Sequence, residues 1–147
     1  MKVFSIKSNQ GFTLIELMIV VVIVAVLMGI ALPSYTEYVN KGRRSDAMSA
    51  LLDVANKQEQ FMFDRNSYTT TMTQLGFAAD PLVSVEGHYN VDAVAGGTGS
   101  IQTSYRLTAT PLSTSPQDDD ARCTSFTLTS TGTKTATGTH AADCWSR

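Results

Sequence analysis

The stretch that decides the fold is "GFTLIELMIVVVIVAVLMGIALPSY", residues 11–35. The 21 residues from Phe12 to Leu32 contain two polar side chains, those of Thr13 and Glu16. As an α-helix this segment would be about 31 Å long, which matches the roughly 30 Å hydrocarbon core of a bilayer. The composition therefore predicts a membrane-spanning helix that carries one carboxylate, Glu16, near its beginning.

The residues on either side of the apolar run indicate its orientation. Lys2 and Lys7 precede it, and basic residues favour the cytoplasmic side of a membrane. An ordinary secretory signal peptide is the alternative. Two features argue against that alternative: Glu16 lies where such a peptide needs apolar residues, and residues 29–33 lack a small-x-small cleavage site followed by a polar start.

The segment "GFTLIELMIVVVIVAVL", residues 11–27, resembles the class III signal of type IV prepilins. The resemblance implies that residues 1–11 are a leader peptide and that a prepilin peptidase cleaves between Gly11 and Phe12. It further implies that the same enzyme methylates the new amino terminus of Phe12. Pro33 matches a proline that kinks the long helix in many members of the family.

Glu16 is costly in hydrocarbon, at about 3 kcal/mol even on the lenient insertion scale. It needs a partner, and two are open. One is the amino group of its own Phe12, one helical turn away. The other, which the resemblance implies, is the amino terminus of a neighbouring subunit in a fibre. We favour the second, in which a buried charge sets the axial register of neighbouring helices.

Residues 33–64 continue the helical pattern but are amphipathic, so we expect one helix from Phe12 to about Asp64. "KGRR", Lys41–Arg44, is the main basic cluster, and we interpret it as a solvated collar rather than a DNA site. The apolar side chains at helical spacing, which we expect to carry a domain, are Met48, Leu51, Leu52, Ala55 and Met62.

The sequence of residues 65–147 predicts a small globular domain with an antiparallel sheet of three or four short strands. Apolar residues alternate in the runs that begin near Tyr89, Tyr105 and Phe126. Gly96–Gly99 indicates a hairpin. Thr71 and Gln74 fit a capping box, and Gly76 fits its end. The predicted class is α+β: a long N-terminal helix, half of it in the membrane, packed on a small sheet.

Cys123 and Cys144 are the two cysteines of the chain. In an exported domain such a pair favours a disulfide over a metal site, which would need more ligands at short spacing. A bond closing this loop would contribute roughly 3 kcal/mol. In type IV pilins, which the chain resembles, the segment between two C-terminal cysteines (here residues 123–144) is a disulfide-closed loop. Further matches, such as "LTSTGTK" before a final "CW", resemble PilE-type minor pilins.

Neither a catalytic constellation nor a cofactor fingerprint is found in the sequence, so no enzyme activity, cofactor or metal is predicted. His88 and His140 are isolated, and we expect both at the surface. Asp118–Asp120 could ligate calcium, but the run lacks the other residues of an EF-hand loop. We therefore expect a solvated acidic loop.

The resemblance implies a structural subunit, of the minor type, of a type IV pilus, with roles in twitching motility, adhesion or DNA uptake. Its partners would be other pilin subunits, the prepilin peptidase and the pilus assembly machinery. It would cross the inner membrane once, with its C-terminal domain periplasmic, and then enter the extracellular pilus. The alternatives are a type II secretion pseudopilin and a competence-type DNA receptor. Nucleic acid is disfavoured because the chain from Phe12 onward carries a net charge of −4.

Overall fold

The computed structural model of the protein describes residues 11–146. It contains one long helix, α1 (Leu14–Arg65), and a five-stranded antiparallel sheet. The described residues divide into two units, a first that ends at Glu37 and a second that begins at Tyr38, and α1 contributes residues to both. The predicted helix, from Phe12 to about Asp64, agrees with α1. The strands are β1 (Leu82–Val83), β2 (Tyr89–Ala95), β3 (Tyr105–Pro111), β4 (Ser125–Thr129) and β5 (Lys134–Thr137).

The first unit, as far as it is described, is the apolar half of α1. Every residue from 11 to 36 is exposed. This helix is long enough and apolar enough to cross a membrane, a finding that rests on its length and composition alone. Most of the proposed leader peptide lies outside the described residues, which begin at Gly11.

The second unit has one hydrophobic core between its part of α1 and one face of the sheet. The buried helical positions recur every three or four residues, as expected for a helix on a sheet. The apolar stripe predicted from sequence is partly wrong about which helical residues face the core. Leu52 is exposed, whereas Val54 and the polar Gln58 are fully buried. The helical residues with apolar side chains in the core are Ala47, Ala50, Leu51 and Val54.

The sheet is a meander with the strand order β1-β2-β3-β4-β5. Val91 pairs with Ala109, and Ala109 pairs with Phe126, so three central strands place apolar side chains on the same face. The sheet has five strands where three or four were predicted. The runs near Tyr89, Tyr105 and Phe126 are confirmed as β2, β3 and β4, and the hairpin loop after β2 is confirmed. The fifth strand, β1, was not predicted because two residues are too few to show an alternation.

The predicted capping box at Thr71 is wrong. A 3₁₀ helix, Met72–Leu75, follows Thr71, but the side chain of Thr71 makes no capping hydrogen bond. Instead, the Thr69 hydroxyl donates to Gln74 Oε1 at 2.6 Å and accepts from the Thr71 N–H. Gly76 ends the turn with a φ of 90°, as predicted, because glycine adopts this left-handed conformation without steric cost.

Candidate assembly surfaces

Phe12, two residues before α1, and Glu16, in its first turn, are both exposed. Phe12 is 88% exposed, and Glu16 lies in the first helical turn. Thr13 precedes the helix, and its hydroxyl accepts a hydrogen bond from the Glu16 N–H at 3.3 Å. This is the geometry of an N-cap, which was not predicted from the sequence. Because the Glu16 carboxylate is exposed in the single chain, it is available to a partner from outside.

Pro33 lies inside α1, between the apolar and amphipathic halves. Proline lacks the N–H that would bond to the carbonyl four residues earlier. Hydroxyl groups beside it bond to helical carbonyls: Ser34 donates to the Ile30 oxygen at 3.3 Å, and Thr36 donates to the Pro33 oxygen at 2.9 Å. The kink predicted at Pro33 stays a prediction.

Cys123 and Cys144 form a disulfide, with their Cα atoms 5.8 Å apart. Both residues are buried. The closed loop contains β4, β5 and a short 3₁₀ helix, Ala141–Asp143. Trp145 follows it, donates its indole N–H to the Thr135 carbonyl at 2.7 Å and packs edge-on against Phe126. The predicted disulfide is confirmed, and it ties the end of the described chain to the sheet.

An ion pair between Arg44 and Asp120 contradicts two expectations. The sequence predicts a solvated "KGRR" cluster, but Arg44 is 6% exposed. It also predicts a solvated loop at Asp118–Asp120, but Asp120 is 3% exposed. Arg44 Nε lies 2.7 Å from Asp120 Oδ2, and Arg44 Nη2 lies 2.9 Å from Oδ1. Asp118 and Asp119 are exposed, as expected. No local signal separates Asp120 from its two acidic neighbours.

The Asp120 carboxylate also accepts hydrogen bonds from Gln117 Nε2 at 2.6 Å and from the Arg122 N–H at 3.2 Å. Tyr89 is fully buried near this carboxylate. The pKa of its hydroxyl is raised, mainly by desolvation and secondly by the negative charge of Asp120. His88, expected at the surface, is half-buried and shares a 2.9 Å hydrogen bond with Ser115. The network fixes the loop before β4 against the helix.

A second buried acid, Asp46, fixes the turn Ser84–Gly87 between β1 and β2. Asp46 accepts hydrogen bonds from the Ser84 hydroxyl and from the Glu86 N–H. The Ser84 hydroxyl oxygen in turn accepts from the His88 and Tyr89 N–H groups. The turn presents Val85, which is 100% exposed, and Glu86, whose carboxylate lies 4.0 Å from His88 Nε2. This site was not predicted from the sequence.

A groove of about 350 Å³ lies between α1 and the end of the disulfide loop. Its wall includes the exposed cation Lys41 and the half-buried thioether of Met48. It therefore offers apolar surface beside a positive charge. Tyr38, Cys144 and Ser146 also line it.

The described part of the second unit, residues 38–146, has eleven acidic and eight basic residues, a net charge of −3. Arg106 and Lys134 are exposed, and Lys134 lies over the ring of Trp145. Arg147, the last basic residue, lies outside the described residues. Within residues 11–146, no group of three or more histidine, cysteine or acidic residues could hold a metal ion.

Comparison with known proteins identifies the family. Residues 33–127 match the family described as "Type IV minor pilin ComP, DNA uptake sequence receptor", and residues 6–32 match the prokaryotic N-terminal methylation motif. The major pilin PilA of Myxococcus xanthus is 36% identical over 88 residues, which are 60% of this chain and 39% of that protein. The fimbrial protein EcpC of Eikenella corrodens is 34% identical over 108 residues, 74% of this chain and 66% of that protein.

The fimbrial protein FimA of Dichelobacter nodosus is 33% identical over 108 residues, 71% of this chain and 68% of that protein. A solved type IV pilin from Shewanella oneidensis shares 22% identity, with a TM-score of 0.49, over 74% of this chain and 99% of the other. The chain thus spans from about two fifths to two thirds of the length of these curated relatives. The matches to the minor pilin family and to the methylation motif show that the chain is a type IV pilin and belongs to the ComP minor pilin family.

Proposed function

We propose that this pilin is a structural subunit that enters a fibre through the apolar half of α1. The supporting observation is the exposure of every residue from 11 to 36, although most of this segment is apolar. Such a surface needs a bilayer before assembly and other helices afterwards, because exposing it to water is unfavourable. In this proposal the chain crosses the inner membrane once and is cleaved by a prepilin peptidase, and the pilus machinery then extracts it into the extracellular fibre.

The Glu16 carboxylate is proposed to pair with the methylated amino group of Phe12 on a neighbouring subunit. Within one chain, Thr13 already satisfies the Glu16 N–H, and the helix dipole favours an acid in the first turn. Neither of these local roles pairs the carboxylate with another chain. An intersubunit pair would give the carboxylate a partner, and it would fix how far one helix is shifted along the next.

The test is Glu16→Ala in the native host, with sheared pili and membranes compared by immunoblot. The variant should be made, inserted and cleaved, because Gly11 is unchanged and a costly carboxylate is removed from hydrocarbon. Its amount in sheared pili should fall at least tenfold, since an unpaired amino group would remain in a low-dielectric contact. Asp64→Ala, which removes an exposed carboxylate from the other end of α1, is the matched control. Wild-type levels of Glu16→Ala in pili would contradict the intersubunit pair.

DNA uptake is the second candidate function, and the family match over residues 33–127 favours it. The net negative charge of the described domain argues against DNA uptake, because DNA affinity depends on contacts from Lys and Arg to phosphates. The relatives named above are pilus or fimbrial proteins, which favours a pilus over a secretion pseudopilin.

A binding titration would test DNA uptake. Full-length protein in detergent would be mixed with labelled duplex DNA at about 50 and 200 mM salt, with Arg106→Ala and Lys134→Ala as variants. A DNA receptor should bind more weakly at the higher salt concentration and in at least one of these variants. Absence of binding at the lower salt concentration would contradict DNA binding by this subunit and leave the structural role unaffected.

A further inference from the structure

The turn Ser84–Gly87 is a pre-formed protrusion. Hydrogen bonds from its backbone and from Ser84 anchor it to the buried Asp46 and to the start of β2. Its tip carries a fully exposed apolar side chain, Val85, next to an exposed acid, Glu86. Because the backbone of the turn is anchored with Val85 exposed, little conformational entropy is lost when a partner covers this side chain.

The groove beside Met48 and Lys41 has the complementary chemistry. Met48 and the exposed ring of Tyr38 offer apolar contacts, and the exposed ammonium of Lys41 offers a positive charge. Methionine adapts its shape to a partner because its side chain is unbranched and flexible. An apolar knob with an acid beside it, such as Val85 with Glu86, therefore suits this groove.

The turn and the groove lie on opposite flanks of α1. Asp46, which anchors the turn, and Met48, which lines the groove, are two positions apart in the helix. At 3.6 residues per turn, two positions are separated by about 200° around the helix axis. Both surfaces of one subunit can therefore be occupied at the same time.

We propose that the turn of one copy docks into the groove of a second copy, with Val85 against Met48 and Tyr38 and with Glu86 beside Lys41. This inference rests on the proposed function in a fibre. The contact joins two different surfaces of identical chains, and such a heterologous contact builds an open helical filament when its rotation does not close a ring. Copies of this subunit can then be successive neighbours along a fibre, so the subunit is not restricted to one copy at a unique position.

Photo-crosslinking in assembled pili would test the contact. Val85 would be replaced by the photoreactive residue benzoylphenylalanine in the full-length chain, in the native host. The substitution should not disturb folding because Val85 is fully exposed. After illumination of sheared pili, mass spectrometry should find an adduct of two copies that joins position 85 to residues 38–48 or 144–146 of the other copy. Val94, 46% exposed on the outer side of β2, is the control position and should not give this adduct.

Charge reversals add a second measurement. Glu86→Lys and Lys41→Glu should each lower the adduct yield about fivefold, as expected for one exposed ion pair, and the double variant should recover most of it. If the subunit is present in sheared pili but position 85 gives no adduct, or is joined only to a different pilin, the docking is wrong. Unchanged yields in both single reversals would contradict it as well. If the wild-type subunit is absent from sheared pili, the proposed function itself fails, and the docking fails with it.

Discussion

Arg44 on α1 and Asp120 in the loop before β4 form a buried, two-bond ion pair between positions 76 residues apart. The planar guanidinium matches both carboxylate oxygens, a geometry that lysine cannot reproduce. Together with the Gln117 amide and the Arg122 N–H, Arg44 saturates the carboxylate. The loop before β4 is thereby held on the helix by a group that tolerates little change.

Removing one partner of this pair should be strongly destabilising. Asp120→Ala should cost about 3–5 kcal/mol, because the Arg44 guanidinium would lose its carboxylate partner in a buried position. Thermal unfolding of full-length protein in detergent, followed by near-UV circular dichroism, would measure the change. Trp145, the one tryptophan, packs on Phe126 and should report folding of this domain. Asp118→Ala, an exposed neighbour, should change stability by less than about 0.5 kcal/mol; equal losses in both variants would contradict this assignment.

Gly138 should not tolerate a side chain. Its φ is +128°, and an added Cβ would collide with the Arg122 carbonyl oxygen, which belongs to the backbone beside Cys123. Gly138→Ala should therefore cost about 3 kcal/mol from backbone strain and overpacking together.

Two other glycines separate these causes. Gly132 has a φ of +77° but open space around it, so Gly132→Ala should show the strain alone, about 1–2 kcal/mol. Gly97 also has open space and no such φ, so Gly97→Ala should be close to neutral. The same unfolding measurement applies to all three, and a Gly138 variant no less stable than the Gly132 variant would contradict the close approach.

The disulfide should contribute a large share of the stability of the second unit. The double variant Cys123→Ala/Cys144→Ala should lose roughly 3 kcal/mol, because the bond restricts the unfolded chain. A non-reducing peptide map of protein isolated from the cell envelope should recover the two cysteines in one linked peptide. Recovery of both as free thiols would show that the bond does not form in the cell.

The mature chain should begin at Phe12 with a methylated amino group. Gly11 and Phe12 lie within three residues of the start of α1 at Leu14, and residues 6–32 match the N-terminal methylation motif. Mass spectrometry of the N-terminal peptide from envelope material would measure both cleavage and methylation. A mature start near Ser34 would instead indicate an ordinary signal peptide and would remove the basis for the assembly proposal.

The sequence by itself determined the elements with strong local signals. An apolar run of membrane length, Phe12–Leu32, is visible without any tertiary contact because its composition alone sets its preference for hydrocarbon. The alternation around Tyr89, Tyr105 and Phe126 predicted strands because a strand with one buried face must alternate. Because the chain has two cysteines, Cys123 and Cys144, only one intrachain disulfide pairing exists.

Tertiary structure alone decided which charges are buried and where the helical stripe lies. Arg44 and Asp120 look like members of exposed charge runs, and their burial depends on a contact between distant positions. Asp46 likewise is buried because Ser84 and Glu86 meet it across the fold. The period of a helix shows only roughly which side of α1 faces the core. The packing of the sheet on α1 decides that Val54 and Gln58 are buried and that Leu52 is exposed. Local sequence encodes periodicity, whereas burial is a property of two surfaces in contact.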